Sequence, residues 1–315
     1  MTDFTDLVDL ASERLGGSVL AANDEFFAPK ENLVRAARPV FLEHEYTDRG
    51  KWMDGWETRR RRESGHDWCL VRLGLPGAIR GVDVDTAFFE GNFPESCSLE
   101  AAAGEEGPWI EILPRSPLRG DAHNLFPTGG NSRFTHVKLH IYPDGGVARL
   151  RVYGHVVPDR ERISHGAEVD LAALENGGLV LSASDMFFGA RHNLILPGPP
   201  RGMHDGWETR RRRGPGHDWA IVQLAAPGSI RRVEVDTTWF KGNAPGSCSL
   251  EVLAAGDPLS EEAEWREVLP RTPVRPDTLH RFDREVLPAP PATHARFNVF
   301  PDGGVARLRL FGTVA

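Results

Sequence analysis

The chain repeats itself, and the repeat is the strongest constraint on its fold. "GWETRRRR" runs from Gly55 to Arg62 and returns letter for letter from Gly206 to Arg213. "VDLA" occurs at Val8 and Val169, "GHDW" at Gly65 and Gly216, "SCSLE" at Ser96 and Ser247, and "PDGGVARLR" at Pro143 and Pro301. The order is kept throughout. Between roughly Arg35 and Met53 the first copy holds about ten residues that the second lacks. A unit of about 145 residues is far longer than the roughly 20–50-residue period of a solenoid, so each copy has to bury a core of its own. The polar "GHVVPDRERISHGAE" between them, with Pro158 and Gly166, has the composition of a linker.

Inside each copy the apolar pattern has period two. Cys69, Val71 and Leu73 alternate with polar neighbours, as do Ala220, Val222 and Leu224. Val82 and Val84 match Val233 and Val235, and Cys97, Leu99 and Ala101 match Cys248, Leu250 and Val252. Val137, Leu139 and Ile141 match Ala295, Phe297 and Val299. Short alternating runs bounded by Gly and Pro predict antiparallel strands. The expectation is an all-β chain of two tandem jelly-roll β-sandwich domains, over residues 1–158 and 169–315, with few short helices. "FTDLVDLASERLGG" and "EVDLAALENGG" are the helical candidates, each ended by glycine. "PDGG" should turn a hairpin between the strands on either side of it. The extra residues of the first copy should form a loop, because loops tolerate insertion.

Composition excludes several classes. The 315 residues carry a net charge of −8, which argues against a nucleic-acid partner. No apolar run is long enough to span a bilayer, and the N-terminal stretch does not read as a secretory signal. The three cysteines, Cys69, Cys97 and Cys248, have no paired spacing, so a reducing, cytoplasmic compartment is expected.

Two motifs could carry chemistry. In an extended "WETRRRR", Trp56, Thr58, Arg60 and Arg62 would share one face, and Glu57, Arg59 and Arg61 the other. A guanidinium at the buried rim needs an acceptor, from Asp54, Glu57, Asp67 or Asp85, or from a ligand carboxylate. Alternatively the run is a solvated face. In "GHDW", His66 and Asp67 precede a strand, and a histidine there can titrate near neutrality as a general acid or base; they could equally be turn residues capping it. No metal-binding spacing appears. His136 and His140 are about 13 Å apart on one strand face, too far to share an ion. The sequence names no metal ligand and leaves a divalent cofactor open.

"DGWETRRRR…GHDW", "VDVDTAFFEGNFPESCSLEA", "LPRSPL" and "HVKLHIYPDGGVARLRVYG" resemble the allantoicase (allantoate amidinohydrolase) family. The resemblance covers Asp24 to Val157 and Asp185 to the end. It implies two jelly-roll domains related to galactose-binding and discoidin modules, assembly into homo-oligomers, and hydrolysis of allantoate to ureidoglycolate and urea in purine degradation. With that substrate in view, Glu57, His66, Asp67 and their mirrors Glu208, His217 and Asp218 become candidate catalytic groups. Arg59, Arg60, Arg61, Arg210, Arg211 and Arg212, with Asp54, Asp205, Trp56 and Trp207, become candidate substrate contacts. The second copy departs from the first: Gly214-Pro215 replaces Glu63-Ser64, Ala220 replaces Cys69, Asn298 replaces His140 and Phe300 replaces Tyr142. The competing reading is a tandem sandwich that binds a carbohydrate or other small ligand without turnover.

Overall fold

A computed structural model describes residues 3–159, 163 and 166–315. The chain divides into two compact units, Met1–Val157 and Pro158–Ala315. The strands of the first are β1 (Val8–Asp9), β2 (Ser18–Ala22), β3 (Tyr46–Thr47), β4 (Gly50–Lys51), β5 (Trp56–Glu57) and β6 (Asp67–Asp85). They continue with β7 (Ser96–Ala102), β8 (Ile110–Pro117), β9 (His123–Pro127), β10 (Phe134–Tyr142), β11 (Gly146–Val147) and β12 (Arg149–Val156). The long strand β6 organises the unit. Its first half pairs with β2 and β10, through Val19↔Val71 and Leu139↔Cys69. Its second half, beyond Pro76, pairs with β12 and β9, through Val152↔Val82 and Val82↔Phe126. One strand thus serves two sheets, β2-β6-β10-β7-β8 and β1-β12-β6-β9, joined at a corner. Pro76 and Gly77 stand at that corner, as expected where a strand must bend and forgo a ladder hydrogen bond.

The alternating residues close the core between the sheets. Cys69, Val71, Val82, Val84, Cys97, Leu99, Ala101, Val137, Leu139, Ile141, Leu150 and Val152 are fully buried. The second unit repeats the plan with β13 (Glu168–Asp170), β14 (Leu179–Ala183), β15 (Trp207–Glu208), β16 (Asp218–Asp236), β17 (Ser247–Leu253), β18 (Arg266–Pro273), β19 (Leu279–Phe282), β20 (Ala292–Phe300), β21 (Gly304–Val305) and β22 (Arg307–Val314). Its sheets are β14-β16-β20-β17-β18 and β13-β22-β16-β19. Each unit is a jelly-roll sandwich. No helix among the described residues is long and apolar enough to cross a membrane.

Two local expectations are corrected. "PDGG" does not turn a hairpin: β10 lies against the first half of β6 and β12 against the second half, so the flanking strands belong to different sheets. The helical candidates are single 3₁₀ turns, Phe4–Asp6, Glu13–Leu15 and Leu174–Asn176, interrupted by β1 and preceded by β13. The Asp9 carboxylate accepts the Ala11 and Val152 amides and stops the helix, and the remaining segments are too short to nucleate one. The insertion of the first copy forms a loop bearing the small β3–β4 hairpin, a sheet of its own outside the core.

Candidate active site

The arginine run leaves the strand almost at once. Trp56 and Glu57 pair with β11, Trp56 and Thr58 point inward, and the alternation ends there. The Trp56 indole donates to Asp24 O at 2.8 Å, and Trp207 donates likewise to Asp185 O. Both tryptophans are wholly buried, so the expected substrate contacts at Trp56 and Trp207 are instead core anchors. Arg59 Nε meets Asp24 Oδ2 at 2.6 Å and its guanidinium lies over the Phe26 ring; Arg210 repeats this with Asp185 and Phe187. Arg61 turns back to Asp67 Oδ1 at 2.6 Å, and Arg212 to Asp218. Asp144 and Asp302, from the two "PDGG" turns, accept the backbone amides of Arg61 and Arg212 at 2.8 Å. The alternate arginines of the run are therefore tied into each sandwich. Arg60 and Arg211 are exposed.

Asp54 and Asp205, expected at the substrate, face the interior. Asp54 Oδ2 accepts from Arg149 NH2 at 2.7 Å, and Asp205 Oδ2 from Arg307 NH2 at 3.1 Å. Arg149 is 1% exposed, and its other donors reach the carbonyls of Asp54, Ala148 and Ala37. Burial lowers the Arg307 guanidinium to about 10. Arg149 and Arg307 were missed from sequence. Their one signal was an arginine at the same place after both "PDGGVA" turns, following an aspartate before both "GWE" motifs.

His66 and Asp67 part company, as neighbours on an extended chain must. Gly65, at φ 133°, makes the turn that a side chain would resist. Asp67 then points inward, held by Arg61 and by Asn23 Nδ2 at 2.8 Å, so Asp67 and its mirror Asp218 act as buried ion-pair partners. His66 points out over the sheet. Its Nε2 lies 2.9 Å from His140 Nδ1, whose Nε2 lies 3.0 Å from Glu100 Oε2, and its ring packs on Tyr142. Partial burial, then the neighbouring His140, lowers the His66 pKa below the ordinary imidazole value. In the second unit His217 meets the Asn298 amide at 3.3 Å instead, and Asn298 donates to Glu251. The relay of two imidazoles and a carboxylate belongs to the first copy.

Glu57 lies elsewhere. It lines a cavity of about 450 Å³ with Lys51, Phe41, Phe88, Glu90 and Asn92, and none of the arginines of the run, nor His66, lines it among the described residues. Burial raises the Glu57 carboxyl above its ordinary value, and the Asn92 amide, donating to Oε1 at 2.7 Å, opposes this only in part. Glu208 and Asn243 form the same pair in the second unit. Phe88, on the cavity rim, adopts φ 68°, and Trp239, its mirror, φ 75°. Asp121 and Asp277 brace them by accepting their amides at 2.8 Å. Such backbone costs about 1–3 kcal/mol and persists only where the surroundings enforce it. A carboxyl of raised pKa, fixed by an amide at the wall of a small cavity, is suited to general acid–base chemistry.

No three His, Cys, Asp or Glu side chains converge on one point among the described residues. The cysteines are free and buried, and desolvation pushes the Cys97 and Cys248 thiols up to about 12.

A probable allantoicase of Burkholderia mallei is 48% identical over 98% of this chain and 94% of its own length. The allantoicase of Dictyostelium discoideum is 46% identical over 97% and 87%. The crystal structure of allantoicase from Saccharomyces cerevisiae superposes with a TM-score of 0.83 at 38% identity, over 97% of this chain and 92% of that one. The allantoicase repeat model matches residues 8–157 and again 169–315. The two sandwiches are two such repeats, and the chain belongs to the allantoicase family.

Proposed function

We propose that the chain hydrolyses allantoate to ureidoglycolate and urea, and that Glu57 carries the proton transfers. The family supports the reaction. The observation that supports the residue is the raised carboxyl of Glu57 at the wall of the cavity, hydrogen-bonded to Asn92. Allantoate is a methine bearing one carboxylate and two ureido groups. The C–N bond to one ureido group breaks as Glu57 gives that nitrogen its proton, and urea departs while the second ureido nitrogen shares its electron pair with the methine carbon. Water adds to that carbon, and Glu57 takes back a proton from it, so the carboxyl ends as it began. Its half-buried place raises the carboxyl's pKa, the direction that favours a general acid. His66 is the other titratable candidate, with His140 and Glu100 behind it. The tandem binding module without turnover has no observation in its favour.

Urea release from allantoate by the purified chain, with and without chelator, tests the reaction, and Glu57→Gln tests the assignment. We further propose a cytoplasmic protein, supported by three free buried thiols, and a homo-oligomer, supported by the apolar surface of Met186, Phe187 and Phe188. Light scattering on the eluting protein measures the latter.

A further inference from the structure

The substrate carboxylate needs a cation, and no arginine of the run lines the cavity among the described residues: Arg59 and Arg61 are held by Asp24 and Asp67. We infer that Lys51, delivered by the inserted segment of the first copy, is the carboxylate anchor, and that only the first copy binds substrate. The inference rests on the hydrolase reading above.

Lys51 is the one cationic side chain lining the cavity among the described residues. Its ammonium is held in place before any ligand arrives. It donates to Leu42 O at 2.6 Å and to Glu43 O, and it lies over the rings of Phe41 and Tyr46 at 4.9 and 4.7 Å. All four partners belong to the insertion. An ammonium has three donors, so one N–H and the charge itself remain for an anion. Holding the side chain in advance removes part of the ordering cost of binding. On the other walls Glu90 offers a carboxylate to ureido N–H groups, and the acid Glu57 is positioned through Oε1 by Asn92. Phe41 and Phe88 stack at 5.7 Å along the rim. A cation, a carboxylate, an acid and aromatic rings around one cavity match a small carboxylate that bears ureido groups. The volume is within the usual range for a small-molecule site.

The second copy has the same Glu208–Asn243 pair and lacks the anchor. It is about ten residues shorter where the first copy places Phe41, Tyr46 and Lys51. "KGN" at Lys241 stands where the first copy has "EGN" at Glu90, so an acidic wall becomes basic, and Lys241 leans to Asp277 at 4.0 Å. The Trp239 indole donates to Pro200 O, tying the rim to the shortened loop.

The test uses the full chain. Lys51→Met is expected to raise KM for allantoate roughly 10- to 100-fold with kcat within about threefold, the signature of lost binding that does not change between ground and transition state. Lys51→Arg, which keeps the charge, is expected to stay within about fivefold of wild type, and Lys241→Met to match wild type. Calorimetry on Glu57→Gln, which should bind without turnover, is expected to give one allantoate per chain, weakened by adding Lys51→Met. Methylenediurea, which is allantoate without the carboxylate, should bind both proteins equally. An unchanged KM in Lys51→Met, two ligands per chain, or equal weakening for methylenediurea would each overturn the assignment. Absence of turnover by the wild-type chain would overturn the hydrolase reading instead, and the calorimetric comparison would still decide Lys51.

Discussion

Asp54→Ala separates a structural carboxylate from a ligand-binding one. In the native chain Arg149 is almost wholly buried, and its charge is balanced by Asp54 at 2.7 Å. The substitution removes the carboxylate and leaves three carbonyl acceptors, those of residues 54, 148 and 37. Breaking a buried ion pair from one side costs about 3–5 kcal/mol, and the surviving carbonyls place this case near the lower end, about 3 kcal/mol. For a cooperative unit of this size, about 2–4 °C per kcal/mol gives a melting temperature lower by roughly 6–12 °C. Scanning calorimetry reads it, and Asp205→Ala should do the same to the second unit. The double variant Asp54→Ala/Arg149→Met should recover most of the loss, since it leaves no unpaired buried charge. A fall under about 2 °C together with a raised KM for allantoate would refute the reasoning and return Asp54 to the substrate.

Glu57→Gln should cut turnover by roughly 10²–10⁴-fold. A carboxyl whose folded pKa is raised contributes stability below its unfolded pKa and loses it as pH rises through the folded value, so the glutamine variant should be no less stable than wild type at pH 7, which thermal melts would check. His140→Asn, the residue found naturally at Asn298, should move the His66 titration upward toward the ordinary imidazole value in an NMR pH series. The lowered His66 pKa means stability lost as pH falls below the unfolded value, and the variant should lose less; an unmoved His66 titration would leave burial as the whole cause. Cys69→Ala, matching Ala220, should cost about 0.5–1.5 kcal/mol in denaturant titration and leave activity unchanged.

Much of the architecture was legible because one rule governs it: a two-residue period with one face buried fixes which side chains meet. Cys69, Val71, Cys97, Leu99, Val137 and Leu139 all fall on the predicted side. The rule fails where the chain leaves a sheet. From Thr58 onward "WETRRRR" is irregular backbone, so the two-residue period does not say which guanidinium reaches the buried rim, and it is Arg61 that meets the buried Asp67. It fails again at "PDGG", because a tight turn does not reveal whether the next strand returns to the same sheet. Pairs such as Asp54–Arg149 and Glu57–Asn92 join residues far apart in sequence, and no local pattern marks them. The cavity joins the insertion, whose composition is mixed and charged, to Glu57 and to Phe88, Glu90 and Asn92, and no local pattern links them.

Strand β6 changes register at its corner. Phe134 of β10 lies opposite Gly77, and two residues later His136 lies opposite Arg72. The stretch Leu73–Pro76 therefore loops out of the ladder, and the second unit loops out the corresponding stretch before Gly228, between Gln223↔His294 and Gly228↔Ala292. Elsewhere along β6 an added or deleted residue would flip every later side chain between core and solvent in both sheets at once. At the corner the parity is reset once, but the stretch is not free: Leu73 and Leu75 are buried, the Gly74 amide donates to Leu10 O and Pro76 O accepts the Val157 amide. An engineered tag or binding epitope should therefore be rejected along the whole of β6 and tolerated in the loops between strands.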